Sequence, residues 1–228
     1  MDLKLCEKTA RKLWDKEDPI WVLEEGSVII NGDSVPLLPW RFNRRLAEMR
    51  GLIERNRAVQ HICSYKSVRV DHAGTEFSEI LYSELDVCEW LTGSSIVSVY
   101  AISNSKHALL AIAETDTGVV CAIDLASTLS VESAPVTRHE IIGVEGIITD
   151  RSINEIVPVE AVYLFKDSAK NPDVFTDMDI YMFGLVPEEV QMVDYILYLL
   201  SHRDEFYVWQ KRYKRLSELV ECVYTSIK

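Results

Sequence analysis

Cysteine is scarce in these 228 residues, and the five present are odd in number. Cys6, Cys63, Cys88, Cys121 and Cys222 are widely scattered, and no two form a C-x-x-C pair. Neither a disulfide framework nor a zinc knuckle is signalled, so most of them read as small core residues. Long apolar runs are absent too: no window reaches the ~18 consecutive apolar residues of a membrane span. The opening MDLKLCEK lacks the apolar centre of a signal peptide. The expectation is a cytoplasmic protein with no membrane partner. Positive charge is in short supply, with 24 Lys and Arg against 36 Asp and Glu and a net charge of −12. Nucleic-acid affinity rests on Lys and Arg contacts to phosphate, so no nucleic-acid partner is expected. The one basic cluster, QKRYKR at 210–215, reads as the solvated face of a helix. No strand is followed by G-x-G-x-x-G, and neither H-E-x-x-H nor G-x-S-x-G occurs. There is no internal repeat and no low-complexity segment.

What is present is an apolar fraction of 48%, enough for a substantial core. Residues 5–16 form a short predicted helix. SVIINGDSVPLL (27–38) has two β-prone runs around Asn31-Gly32, a strong hairpin signal. Pro36 and Pro39 put the second run at an edge or end it early. In WRFNRRLAEMRGLIERN (40–56), Phe42, Leu46, Met49, Leu52 and Ile53 recur at three or four, which predicts an amphipathic helix. HICSYKSVRV (61–70) alternates like a strand. EILYSELDVCEWLTG (79–93) is helical, with Gly93 as its stop.

From there the period drops to two. SIVSVYAI (95–102), HALLAIAE (107–114) and VVCAIDLAS (119–127) are predicted strands with short, antiparallel-favouring links. HEIIGVEGIITD (139–150) reads as a hairpin with Gly143 and Gly146 at its bends, and EIVPVEAVYLF (155–165) as a strand whose Pro158 marks an edge. Pro187-Glu188-Glu189 opens a helix, and a last helix runs from about 205 to 227. Strands in sequence with helices before and after mean α+β, with an open, mostly antiparallel sheet.

This order of elements resembles the C-terminal domain of the Gfo/Idh/MocA oxidoreductases, the glucose-fructose oxidoreductase and inositol dehydrogenase family. The likeness rests on WRFNRRLAEMRGLIERN, EILYSELDVCEWLTGSSIVSVYA, ALLAIAETDTGVVCAIDLAS, HEIIGVEGIITD and KRLSELVECVYTSIK, in that order, across roughly residues 40–228. It implies a sheet with helices on one face and a homodimer through the other. It divides the chain into an N-terminal extension with a hairpin, 1–39, and the oxidoreductase-like domain, 40–228.

The second of these stretches is similar to the family's D-x-x-x-H-x-x-D segment. There the histidine takes a proton from a sugar or polyol hydroxyl while hydride leaves to a nicotinamide, and a lysine from an E-K-P turn assists. Here Glu79 stands at the first aspartate, Ser83 at the histidine and Asp86 at the later aspartate. A serine hydroxyl has no pKa near neutrality and cannot act as the general base. Cys6-Glu7-Lys8-Thr9 is similar to the lysine turn with threonine in place of proline. Lys8 and Glu79 are therefore the candidate catalytic residues, and Arg41, Glu79, Ser83 and Asp86 the candidate ligand-binding set for a sugar or polyol. The alternative for Glu79, Ser83 and Asp86 is a solvated stripe. Asp71-His72 is a further pair for inspection, and Tyr181, Phe183, Tyr195, Tyr198, Phe206, Tyr207 and Trp209 read as core or interface aromatics. The expected role is a binding or dimerisation module that holds no cofactor alone, with NAD(P) only if a nucleotide-binding partner subunit supplies a Rossmann domain. The other reading is the substrate-side subunit of such a split dehydrogenase.

Overall fold

The computed structural model describes residues 2–17, 19–24, 26–55, 59, 61–105, 107–151, 161–166, 171–176 and 185–227. They fall into two compact units: residues 1–44 with 178–215, and residues 45–177 with 216–228. This division differs from the split at residue 39 drawn from the sequence, because the C-terminal third contributes helix to the first unit.

The first unit pairs helices with a small sheet. Helix α1 (Leu3–Leu13) starts at Asp2, whose carboxylate accepts from the backbone N–H groups of Lys4 and Leu5. Its Cys6 and Ala10 are buried. Strands β1 (Trp21–Glu24), β2 (Ser27–Ile30) and β3 (Asp33–Pro36) form an antiparallel meander. The β2–β3 hairpin turns at Asn31 and Gly32, both at positive φ, as the sequence predicted. Pro36 ends an edge strand, where its missing N–H costs nothing. Strand β1 was not foreseen: WVLE is too short for a clear period. A 3-10 turn (Pro39–Phe42) and helix α4 (Pro187–Ser201) complete the packing, and α4 contacts both α1 and that turn. The carboxylate of Glu189 in the first turn of α4 accepts from the N–H groups of Val186 and Asp2, so one acid serves the start of two helices. Tyr195 donates to the carbonyl of Pro36. Helix α5 (Phe206–Ile227) begins in this unit and ends in the other.

The second unit is built on one large sheet. Helix α2 (Arg44–Arg55) leads into strand β4 (Ile62–His72), then helix α3 (Phe77–Thr92). Next come β5 (Ile96–Ser105), β6 (Ala108–Thr115), β7 (Val120–Leu129), β8 (Val136–Gly143), β9 (Gly146–Thr149), β10 (Ala161–Lys166) and β11 (Asp173–Thr176). The order is β11-β10-β9-β8-β4-β7-β6-β5. Every neighbour pair is antiparallel except β4–β7, which is parallel. The open, mostly antiparallel α+β sheet expected from the sequence is therefore present. Strand β11 went unread, residues 155–160 with Pro158 lie outside the described residues, and so do Tyr181 and Phe183.

Alternation along the strands gives the sheet two faces. Ala111, Ala113, Cys121, Ile123, Leu125 and Ile141 are buried, and α3 lies against β4 and β7. The other face leaves Val68, Tyr100, Ile102, Ile112 and Val120 exposed.

Candidate functional site

Helix α3 carries the predicted residues, and its burial explains what they do. Phe77, Ile80, Leu81, Leu85, Val87, Cys88 and Leu91 are all buried, so the helix is covered on more than one side. It stops at Gly93, which sits at φ 69° and donates its N–H to the carbonyl of Glu89. The guanidinium of Arg50, from α2, donates to the carbonyls of Trp90 at 2.7 Å and Leu91 at 3.2 Å, satisfying groups the helix leaves open at its end. Glu89 is buried because its carboxylate accepts the N–H of Ile96 at 2.6 Å and so fixes the start of β5.

The solvated stripe is not what the structure shows. Glu79 is exposed, but Ser83 is buried and Asp86 is 0% accessible. The Ser83 hydroxyl donates to the carbonyl of Ile80 at 2.8 Å and accepts from Arg69 at 2.8 Å, so its donor and one acceptor site are committed. Between Ser83 and Asp86 lies Glu84, which the helical step of the three candidates does not include. It points to the covered face of the sheet and is 2% exposed.

Glu84 belongs to a chain of alternating charges. Asp71 lies 3.0 Å from Arg69, Arg69 lies 3.7 Å from Glu84, and Glu84 lies 3.3 Å from His139. His139 then meets Asp150 at 3.1 Å, and Asp150 approaches Arg45 at 3.9 Å. The links come from β4, α3, β8, the residue after β9, and α2. Burial alone would push His139 down, but the carboxylates of Asp150 and Glu84 overcome it and raise its pKa to about 9. Burial likewise opposes ionisation of Glu84, yet His139 and Arg69 hold its pKa below the usual value. For Asp71 burial again raises, and the His72 N–H with Arg69 more than offset it. The chain thus alternates three basic side chains with three acidic ones.

Asp150 binds His139 twice, accepting its backbone N–H at 2.5 Å as well as facing its ring. Register makes this natural: Glu140 pairs with Thr149, so the next residues outward, His139 and Asp150, lie opposite one another. The signal was therefore present in HEIIGVEGIITD, whose first and last letters are the pair. The two residues are eleven apart and meet only across the β8–β9 hairpin, so adjacency in sequence singles out Asp71-His72 instead. His139 is 4% exposed, and its raised pKa favours the imidazolium form that Glu84 and Asp150 flank.

Lys8 is exposed on α1 and Arg41 is buried in the first unit, its guanidinium 4.7 Å over the Trp209 ring. Around it, Tyr198 stacks on His202 at 4.0 Å and both Tyr198 and Trp209 donate to Glu205. Of the predicted aromatics, Tyr195, Phe206 and Trp209 are buried, while Tyr207 is exposed. His72 is held by Asp71 at 3.4 Å and the carbonyl of Ser133 at 2.9 Å, which occupies both ring nitrogens. A surface hollow of about 530 Å³ in the first unit is lined by Trp14, Lys16, Glu17, Leu200, Ser201 and Arg203, none of them a predicted residue. Among the described residues no group of three or more His, Cys, Asp or Glu is arranged to hold a metal, and no helix is long and apolar enough to cross a membrane.

No family model and no curated protein matches the sequence. Solved structures do match the fold. A putative oxidoreductase from Thermotoga maritima superposes with a TM-score of 0.59 at 15% identity, covering 84% of this chain and 60% of that one. Levoglucosan dehydrogenase, in complex with NADH and levoglucosan, gives 0.62 at 12% identity, covering 83% and 63%. A putative myo-inositol dehydrogenase from Sinorhizobium meliloti gives 0.58 at 13%, covering 85% and 62%. The chain has the fold of Gfo/Idh/MocA-type oxidoreductases, in the form of their C-terminal domain. It spans about three-fifths of the length of those proteins.

Proposed function

We propose that the chain is a non-catalytic assembly module that pairs with a second copy through the open face of its large sheet. The observation that supports this is the face itself. Tyr100 pairs with Ile112 and Ile102 with Leu110 across β5–β6, and Ile112 pairs with Ala122 on β7. These register rows set apolar side chains next to one another, and Tyr100 is 67% and Ile102 54% exposed. Apolar surface continuous over several strands gains free energy when covered. The side-chain chemistry at position 83 supports the non-catalytic half of the reading, since Ser83 supplies no imidazole and is bound by Arg69. A sugar- or polyol-type ligand would meet the solvent-reachable end of the charge chain, Arg69 and Asp71, with Glu79 on the same helix as Ser83. Sedimentation at micromolar concentration should give a dimer, and Ile112→Lys should give a monomer. A wild-type monomer at hundred-micromolar concentration would overturn the reading.

The second reading is the substrate-side part of an NAD(P)-dependent sugar or polyol dehydrogenase completed by a Rossmann domain on another chain. The coverage of levoglucosan dehydrogenase favours it. The isolated chain should leave NADH fluorescence unchanged under both readings. Nicotinamide reduction on adding a Rossmann-fold partner and a polyol would establish the second and displace the first.

A further inference from the structure

We propose that Cys88 and Cys121 are a disulfide-forming pair which, oxidised by a peroxide, covalently locks helix α3 onto strand β7. This does not rest on the assembly reading. The two thiols face each other across the helix–sheet contact with their sulfurs 2.9 Å apart. That is roughly 0.9 Å beyond the ~2.05 Å of a formed bond. Both residues are fully buried. Cys88 stands one turn beyond Glu84 on α3, and Cys121 pairs with Tyr65 on β4 and Ala113 on β6, in the middle of the sheet. The other cysteines are differently placed: Cys63 and Cys222 are exposed, and Cys6 is buried in the first unit.

The chemistry balances with hydrogen peroxide as oxidant. One sulfur, as thiolate, attacks a peroxide oxygen and becomes a sulfenic acid as hydroxide leaves. The second sulfur attacks the first, the S–S bond forms, and water is released. Two thiols and one peroxide thus give one disulfide and two waters, both sulfurs being oxidised and both peroxide oxygens reduced. Burial, with Cys121, Glu89 and Glu84 nearby, pushes the Cys88 thiol well above its ordinary range. The pair is therefore slow to react at neutral pH and faster as pH rises, because the thiolate is the nucleophile.

The test uses the full chain carrying Cys63→Ser and Cys222→Ser, which removes the exposed thiols. The protein is reduced, freed of reductant, exposed to hydrogen peroxide at about pH 8.5, then unfolded in guanidinium with iodoacetamide and digested. The expected result is a linked peptide pair containing Cys88 and Cys121, with Cys6 alkylated. Alkylated or over-oxidised, unlinked Cys88 and Cys121 would overturn the proposal. The link closes a loop between residues 88 and 121, so the oxidised protein should melt about 10 °C above the reduced one. Cys88→Ser should abolish that difference. A link with no rise in melting temperature would overturn the lock.

Discussion

The two faces of the large sheet each carry an exception to the usual arrangement, a charged cluster within the apolar covered face and apolar side chains on the open one. The covered face, under α3, encloses Glu84, His139 and Asp150, each at most 6% exposed. The open face leaves Tyr100, Ile102 and Val120 in solvent. Inside, charge is tolerated because each group has an opposite neighbour, and removing one would strand the next. Outside, apolar side chains are tolerated only at a cost that a covering surface would relieve. The same strands thus carry buried charge paired within the chain on one face and exposed apolar side chains on the other.

That contrast can be broken most sharply at His139. Replacing it with alanine should leave Glu84 and Asp150 facing each other without their cation. We expect a loss on the order of 3–5 kcal/mol in urea unfolding. A loss below 1 kcal/mol would mean the buried charges are not held by pairing.

A milder perturbation titrates the same group. Its pKa is about 9 in the folded protein and ~6.5 unfolded, so folding favours the protonated form. The stabilisation is complete below about pH 6.5 and is lost as pH climbs through 9, amounting to roughly 3 kcal/mol across that window. His139→Ala should flatten the slope there. At the acid end the sign reverses: Glu84 and Asp71 are held low, so their contribution is present above the ordinary carboxylate range and lost as pH falls through their folded values.

On the open face the effects should fall on association and not on the fold. Ile112→Lys should change monomer stability by less than ~0.5 kcal/mol while weakening self-association at least tenfold by sedimentation. Equal loss in both would erase the distinction between the faces. The smallest effect is expected at Glu79, exposed on α3 one turn from Ser83. Its alanine variant should unfold within about 0.5 kcal/mol of the parent, and unchanged binding of polyols by calorimetry would remove it from the ligand set.

The elements were legible because most of them carry their own period. The strand alternation of ALLAIAET and the glycine stop after EILYSELDVCEWLT are local signals, and both appear where the sequence puts them. The site was less legible. Glu79, Ser83 and Asp86 follow a helical step, but a step cannot tell a solvated stripe from a buried one when both sides of the helix are covered. Asp86 is enclosed and Glu79 is not, though they share that stripe. The charge chain joins residues from 45 to 150, and its partners meet only after the strands have paired. The parallel β4–β7 contact is non-local in the same way, with the rest of α3, β5 and β6 between.

That contact has a consequence for the order in which the molecule is made. β4 lies between β7 and β8, both of which are more than forty residues downstream of it. A chain emerging from the ribosome therefore holds its central ribbon without either strand neighbour until residue 120 and beyond have been synthesised. The β5–β6–β7 meander can zip first, from local turns, and then present its edge as the template on which the older segment docks. Slow refolding and a need for early protection by chaperones are the traits to expect of such an architecture.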